Sequence, residues 1–194
     1  MSMSKFLRLL VATATVCAGA SIVPAAALAD DGSGGVGPGG AGTTTTTTTT
    51  PGGHAKLLPS GLASAPADAP VEVQNAIAAA NEIDGTSYCT GGGHRQWRSR
   101  CYDCSGAVSY VLGPKGADIL DSPLPSGDFR KWGARGRDAW ITVYYNGGHA
   151  FMSIAGLRFD TSIPDDGQSG PGWSKDVKAG LVNGPFEKRH YAGL

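Results

Sequence analysis

Three kinds of hydrophobic pattern follow one another along the chain. Leu9 to Val23 is almost continuously apolar, with Lys5 and Arg8 before it and Ala27-Leu28-Ala29 after it. Residues 30 to 67 show no period: they are mostly Gly, Pro, Ala, Ser and Thr, with an unbroken run from Thr43 to Thr50. From Asp68 the apolar positions become periodic. In DAPVEVQNAIAAANEIDG, Val73, Ile77 and Ala80 recur at helical spacing. Asp68 is the expected cap, Pro70 stands in the first turn and Gly85 lies past the end. Ser105 to Leu112 predicts a second helix with Ala107, Val108, Val111 and Leu112 inward, stopped by Gly113 and Pro114. TSYCTGGGHRQWRSR, between the helices, reads as a Gly-rich loop, and PLPSGDFRKWGARGRD as a long one. Three strand-like runs follow: Trp140 to Tyr145, His149 to Ala155 and Arg158 to Ser162. A tight Gly156-Leu157 link makes a hairpin of the last two. The last 30 residues, rich in Gly and Pro, give no readable element. Helix, helix, then antiparallel strands predicts an α+β domain over 68–194.

The first two patterns describe segments outside that domain. A basic start, a short apolar core and a small-x-small site predict a secretory signal peptide over 1–29. The apolar core is short for a membrane span. Cys17 lacks the leucine and small residues that a lipoprotein site places before its cysteine, so it is expected to leave with the signal. Residues 30–67 have almost nothing to bury and predict a disordered linker.

Charge narrows the function. Lys and Arg number 16, as do Asp and Glu, and without Lys5 and Arg8 the balance is about −2. A nucleic-acid binder shows a basic excess that this chain lacks. Cys89, Cys101 and Cys104 remain after the signal segment. Exported proteins oxidise their thiols, and three cannot all pair within one chain.

Cys104 falls at the start of the second predicted helix. Unpaired backbone N–H groups and the helix dipole there favour a thiolate. The same N–H groups can hold the oxyanion of a tetrahedral intermediate. A thiol nucleophile also needs a base and a group that orients the base. His149 opens a strand behind Asn146-Gly147-Gly148. Asp160 interrupts the apolar pattern of RFDTS on the next strand. A two-residue turn puts residue 160 on the same sheet face as 149, 151 and 153, where a carboxylate can fix the tautomer of the ring.

These residues, taken in order, resemble the NlpC family of cell-wall cysteine peptidases. The matching pieces are GTSYCTGG at 85–92, YDCSGAV at 102–108, His149 and Asp160, within residues 70 to 165. The resemblance implies a compact papain-like fold, with Cys104 as nucleophile, His149 as base and Asp160 as third member. Tyr88 and Asp103 match residues that line the substrate cleft, Asp103 being placed to meet a free peptide amine or a polar stem-peptide group. Ser105 is expected to contact substrate or to supply a backbone N–H. The implied activity is a secreted, wall-associated, monomeric hydrolase of peptidoglycan stem peptides, cutting between D-glutamate and the diamino acid, with no cofactor. Three features depart from the family pattern: Asp as third member, DAWITVYYN in the strand before the histidine, and Thr90 where the tyrosine loop has tryptophan.

With Cys104 free as the resemblance implies, Cys89 and Cys101 are left to form a disulfide. A Cys101–Cys104 redox pair and a zinc site from Cys89, His94, Cys101 and Cys104 stay open. Three rival functions also stay open. Two are an amidase cutting the glycan–peptide link and an acyl transferase. The third is a non-catalytic wall-binding module using WITVYYNG, Trp97, Trp132 and Trp173 as aromatic platforms. Arg130 and Lys131 beside Trp132 suit an acidic peptide.

Overall fold

The computed structural model describes residues 53–163, 169–178 and 184–194. The expected signal segment 1–29 and the linker up to residue 52 lie outside them. The expected linker ends earlier than residue 67. β1 (Lys56–Leu57) and β2 (Ala63–Ser64) form an antiparallel hairpin whose Ala55 and Ala63 are buried in the core. Composition concealed this because the buried groups are alanines. A side chain supplies the anchoring: Asn81 accepts from the Ala63 N–H (2.9 Å) and donates to its carbonyl (2.8 Å). Beside the hairpin, the Ala55 N–H donates to the Ala155 carbonyl at 2.9 Å.

Helix α1 (Val71–Ile83) buries Val73, Ala76, Ile77, Ala79, Ala80 and Ile83. Its cap position is Pro70, with no side-chain cap, so Asp68 does not cap it. Gly85 takes φ +71 just beyond, where a side chain would be strained. A short parallel pair, β3 (Ser87–Tyr88) and β4 (Cys101–Tyr102), brackets the Gly-rich loop. Helix α2 (Cys104–Leu112) follows immediately and all nine of its residues are buried. A 3-10 helix (Ser126–Lys131) lies within the long loop.

The main sheet is antiparallel and six-stranded, in the order β5 (Ala134–Arg135), β10 (Glu187–His190), β6 (Ile141–Tyr145), β7 (Ala150–Ile154), β8 (Leu157–Asp160), β9 (Gly172–Ser174). Its two faces differ. Ile141, Val143, Ala150, Met152, Ile154 and Phe159 join α1 and α2 in one apolar core. The other parity carries Tyr144, Phe151, Arg158 and Asp160. The fold is therefore α+β, with the helices preceding the sheet in the chain.

The β7–β8 turn is Ala155-Gly156, both at positive φ, one residue before the expected link. A one-residue shift of a two-residue turn moves the pairing by two residues, so every side chain keeps its face. Asp160 thus stays on the face of residues 149, 151 and 153.

Candidate active site

The thiol is positioned by α2, and α2 by its cap. Asp103 takes an extended conformation, and its Oδ1 accepts from the Gly106 N–H at 2.7 Å. The same oxygen accepts from Ser105 Oγ (3.2 Å) and meets His94 Nε2 (2.9 Å), while Oδ2 accepts from the Gly91 N–H (2.9 Å). Cap and loop are thereby one unit. Gly106 lets them meet: a Cβ there would lie 1.9 Å from the Gly92 carbonyl oxygen. The glycine of DCSG is needed for close approach rather than for flexibility.

A disulfide joins Cys89 to Cys101, with Cα atoms 5.6 Å apart, and Cys104 is free and buried. The bridge takes two of the four ligands that a zinc site would need. Among the described residues no cluster of three or more His, Cys, Asp or Glu side chains could hold a metal.

His149 enters from β7. The Asn146 side chain accepts from the Gly148 and His149 N–H groups, both at 2.9 Å, and so fixes the backbone that presents the ring. His149 Nε2 lies 2.9 Å from Asp160 Oδ1. That contact leaves Nδ1 as the nitrogen for Cys104, whose thiol is hydrogen-bonded to the His149 side chain and to the Ala150 N–H. Burial alone would push the Cys104 thiol up, but these two hydrogen bonds and the charge of His149 bring it below its ordinary value. Burial would likewise lower His149, yet its hydrogen bonds to Asp160 and Cys104 push it up to about 9. The shifts favour the charged pair: the thiol is lowered toward its thiolate, and the ring stays protonated up to about 9.

Asp160 is 2 % exposed and uses both oxygens. Oδ1 serves His149 and the Ser162 N–H (3.1 Å), and Oδ2 accepts from Arg158 Nε (3.0 Å) and Nη2. Arg158 is 1 % exposed, its guanidinium 4.3 Å from the centre of the Phe151 ring. A buried charge needs such pairing. Sequence reading passed over Arg158. The signal that finds it is R-x-D in an apolar strand, where residues two apart share a face.

The remaining candidates fall into two groups. Tyr88 is 43 % exposed and stands at the rim. Burial raises its hydroxyl first, followed by the negative charges of Cys104 and Asp103, which places it beside the thiol. Asp103 and Ser105 face inward. Asp103 is expected from sequence to meet a substrate amine, but its carboxylate has four protein partners. Ser105 Oγ contacts His94 Nε2 (3.2 Å) as well as Asp103. The supposed aromatic platforms are corrected. Trp132 and Trp173 are buried, donating to the Ile119 carbonyl (3.1 Å) and Asn81 Oδ1 (2.9 Å), and Trp97 packs against the core. Trp132 therefore offers no exposed face beside Arg130 and Lys131.

No protein-family model and no curated protein matches the chain. Among solved structures it is similar to the crystal structure of a "similar to lipoprotein, NLP/P60 family" protein from Staphylococcus aureus subsp. aureus Mu50. The identity is 20 % and the TM-score 0.43, over 62 % of this chain and 41 % of that one. The chain thus matches less than half the length of that protein. The α+β assignment rests on the topology described above.

Proposed function

We propose that the protein is a secreted cysteine peptidase that hydrolyses an amide in peptidoglycan stem peptides through an acyl-enzyme on Cys104. The observation that carries this reading is the relay Cys104–His149–Asp160: a free thiol with a depressed pKa at a helix start, joined to an imidazolium held by a buried carboxylate.

The chemistry follows from the geometry. The Cys104 thiolate attacks the scissile carbonyl carbon, and the oxyanion forms beside the first backbone N–H groups of α2. His149 gives its proton to the leaving amine as the carbon–nitrogen bond breaks. It then takes a proton from the water that opens the thioester. Asp160 keeps Nε2 protonated and the ring aligned throughout.

The substrate class and the D-glutamyl bond come from the motif order GTSY, DCSG, His149 and Asp160. Export comes from the basic and apolar pattern of residues 1–29 together with the disulfide, which persists in oxidising compartments. Among the described residues no helix is long and apolar enough to cross a membrane. Muropeptide release by the protein lacking residues 1–29, compared with Cys104→Ala, tests the reading. Mass spectrometry of the products identifies the bond. Equal release by the two proteins would overturn the proposal.

A further inference from the structure

A groove runs beside the turn that delivers His149. Its first part, about 520 Å³, is lined by Asn146, Gly147, Gly148 and Pro185, the turn that delivers His149. Its second part, about 330 Å³, shares Pro185 and is walled by Arg137, Tyr144, Lys178, Phe186 and Lys188. Phe186, in the second part, has its ring 6.1 Å from His149 and 5.2 Å from Phe151. The sheet register links the same places. Lys188 pairs with Tyr144 and Tyr144 with Phe151, and the two rings stack at 4.6 Å. Cations thus gather at the far end, and no acid is found among the described residues lining it.

The end of the groove has directed donors. Arg137 gives Nε and Nη2 to the Tyr144 hydroxyl, at 2.9 and 2.6 Å. A phenol that accepts twice still has its own proton to offer. That proton, Arg137 Nη1 and the ammonium groups of Lys178 and Lys188 suit an oxyanion above an aromatic floor.

We propose that this cavity binds a carboxylate of the peptide on the leaving-amine side. The proposal rests on the hydrolase reading, which fixes the direction. The acyl half stays on Cys104, whereas the amine takes its proton from His149 and departs over the ring, toward Pro185 and Phe186. Arg137, Lys178 and Lys188 are then specificity residues that select leaving segments ending in a free carboxylate.

The test uses one stem peptide in two forms, with a free C-terminal carboxylate and with a C-terminal amide. Wild type should prefer the acid in kcat/KM by about tenfold, the size of one charge-assisted hydrogen bond. Lys188→Gln should bring that ratio toward one. Lys188 is exposed, so this variant folds even if Arg137→Gln, which releases Tyr144, does not. A control, Lys56→Gln on the distant hairpin, should leave the ratio as it was. Equilibrium binding of both forms to Cys104→Ala reads the cavity without turnover, so loss of the hydrolase reading and loss of this one are distinguishable. Equal binding of acid and amide overturns the proposal. Inorganic phosphate, tested as competitor, separates the sources of an oxyanion: displacement of acid and amide alike would assign the cavity to phosphate and overturn the carboxylate.

Discussion

Arg158 and Asp160 stand two residues apart on one strand, both almost wholly buried, with the guanidinium and the carboxylate joined at Oδ2. The carboxylate that orients His149 is therefore shared between an imidazolium and a guanidinium. Removing either neighbour should move His149 in opposite directions. Arg158→Met leaves the whole charge to His149 and should carry its titration above about 9. Asp160→Asn removes that charge and should carry it below. The alkaline limb of kcat/KM reads both, and movement in the same direction would defeat the relay. Each change also breaks a buried ion pair, so a loss of about 3–5 kcal/mol in urea unfolding is expected. Asp160→Asn should lower kcat by about a hundredfold or more.

The wild-type pH profile follows from the two shifts. The reactive pair exists above the lowered Cys104 value and below about 9 for His149. Alkylation by iodoacetamide should therefore remain fast below pH 9.0, the ordinary thiol value. The stability sign for His149 is that of a raised group. Its contribution is fully present below its ordinary 6.5 and is lost as pH rises through about 9. The lowered Cys104 contributes with the opposite sign, so the check uses Cys104→Ser, where a urea midpoint that rises between pH 7 and 10 would contradict this.

The disulfide encloses a sequence separation of 12 and fastens the Gly-rich loop. Chain entropy puts its contribution at about 3 kcal/mol. Cys89→Ser with Cys101→Ser should lower the denaturation midpoint accordingly. Intact mass after alkylation should show one blocked thiol in the mature wild type and one disulfide. Bound zinc without a disulfide would refute the pairing.

Gly106→Ala offers a test in which helix propensity and packing disagree. Alanine is favoured in a helix by about 1 kcal/mol over glycine. Here its methyl would strike the Gly92 carbonyl, so a net loss of about 1–3 kcal/mol is expected. Calorimetry decides, and a stabilised variant would contradict the close approach of loop and helix.

How much of this was legible depended on the length and contrast of each pattern. Both helices were, because Val73, Ile77 and Ala80, then Ala107, Val108 and Val111, repeat at one period. The face of Asp160 was legible because parity survives a shifted turn. β10 was not: Glu187-Lys188-Arg189-His190 looks like an exposed run, yet it lies between β5 and β6 in the sheet. The hairpin Lys56 to Ser64 was hidden by small residues, and its anchor, Asn81, lies far away in sequence. Arg158 was hidden because a charge in a strand reads as a solvent face until the register shows what covers it. The capping role of Asp103 was not legible, since a cap and a substrate contact draw on the same residue type.

The docking of residues 54 and 55 on the β7–β8 turn sets an orientation. A Cβ on Gly156 would lie 2.5 Å from His54 Nδ1, and Ala55 is bonded to Ala155, whereas His149 stands at the other end of the same strand. At about 3.3 Å per residue, His149 and Ala155, which flank β7, are separated by roughly 20 Å. Residues 54 and 55 therefore pack at the end of β7 opposite the one that leads to His149.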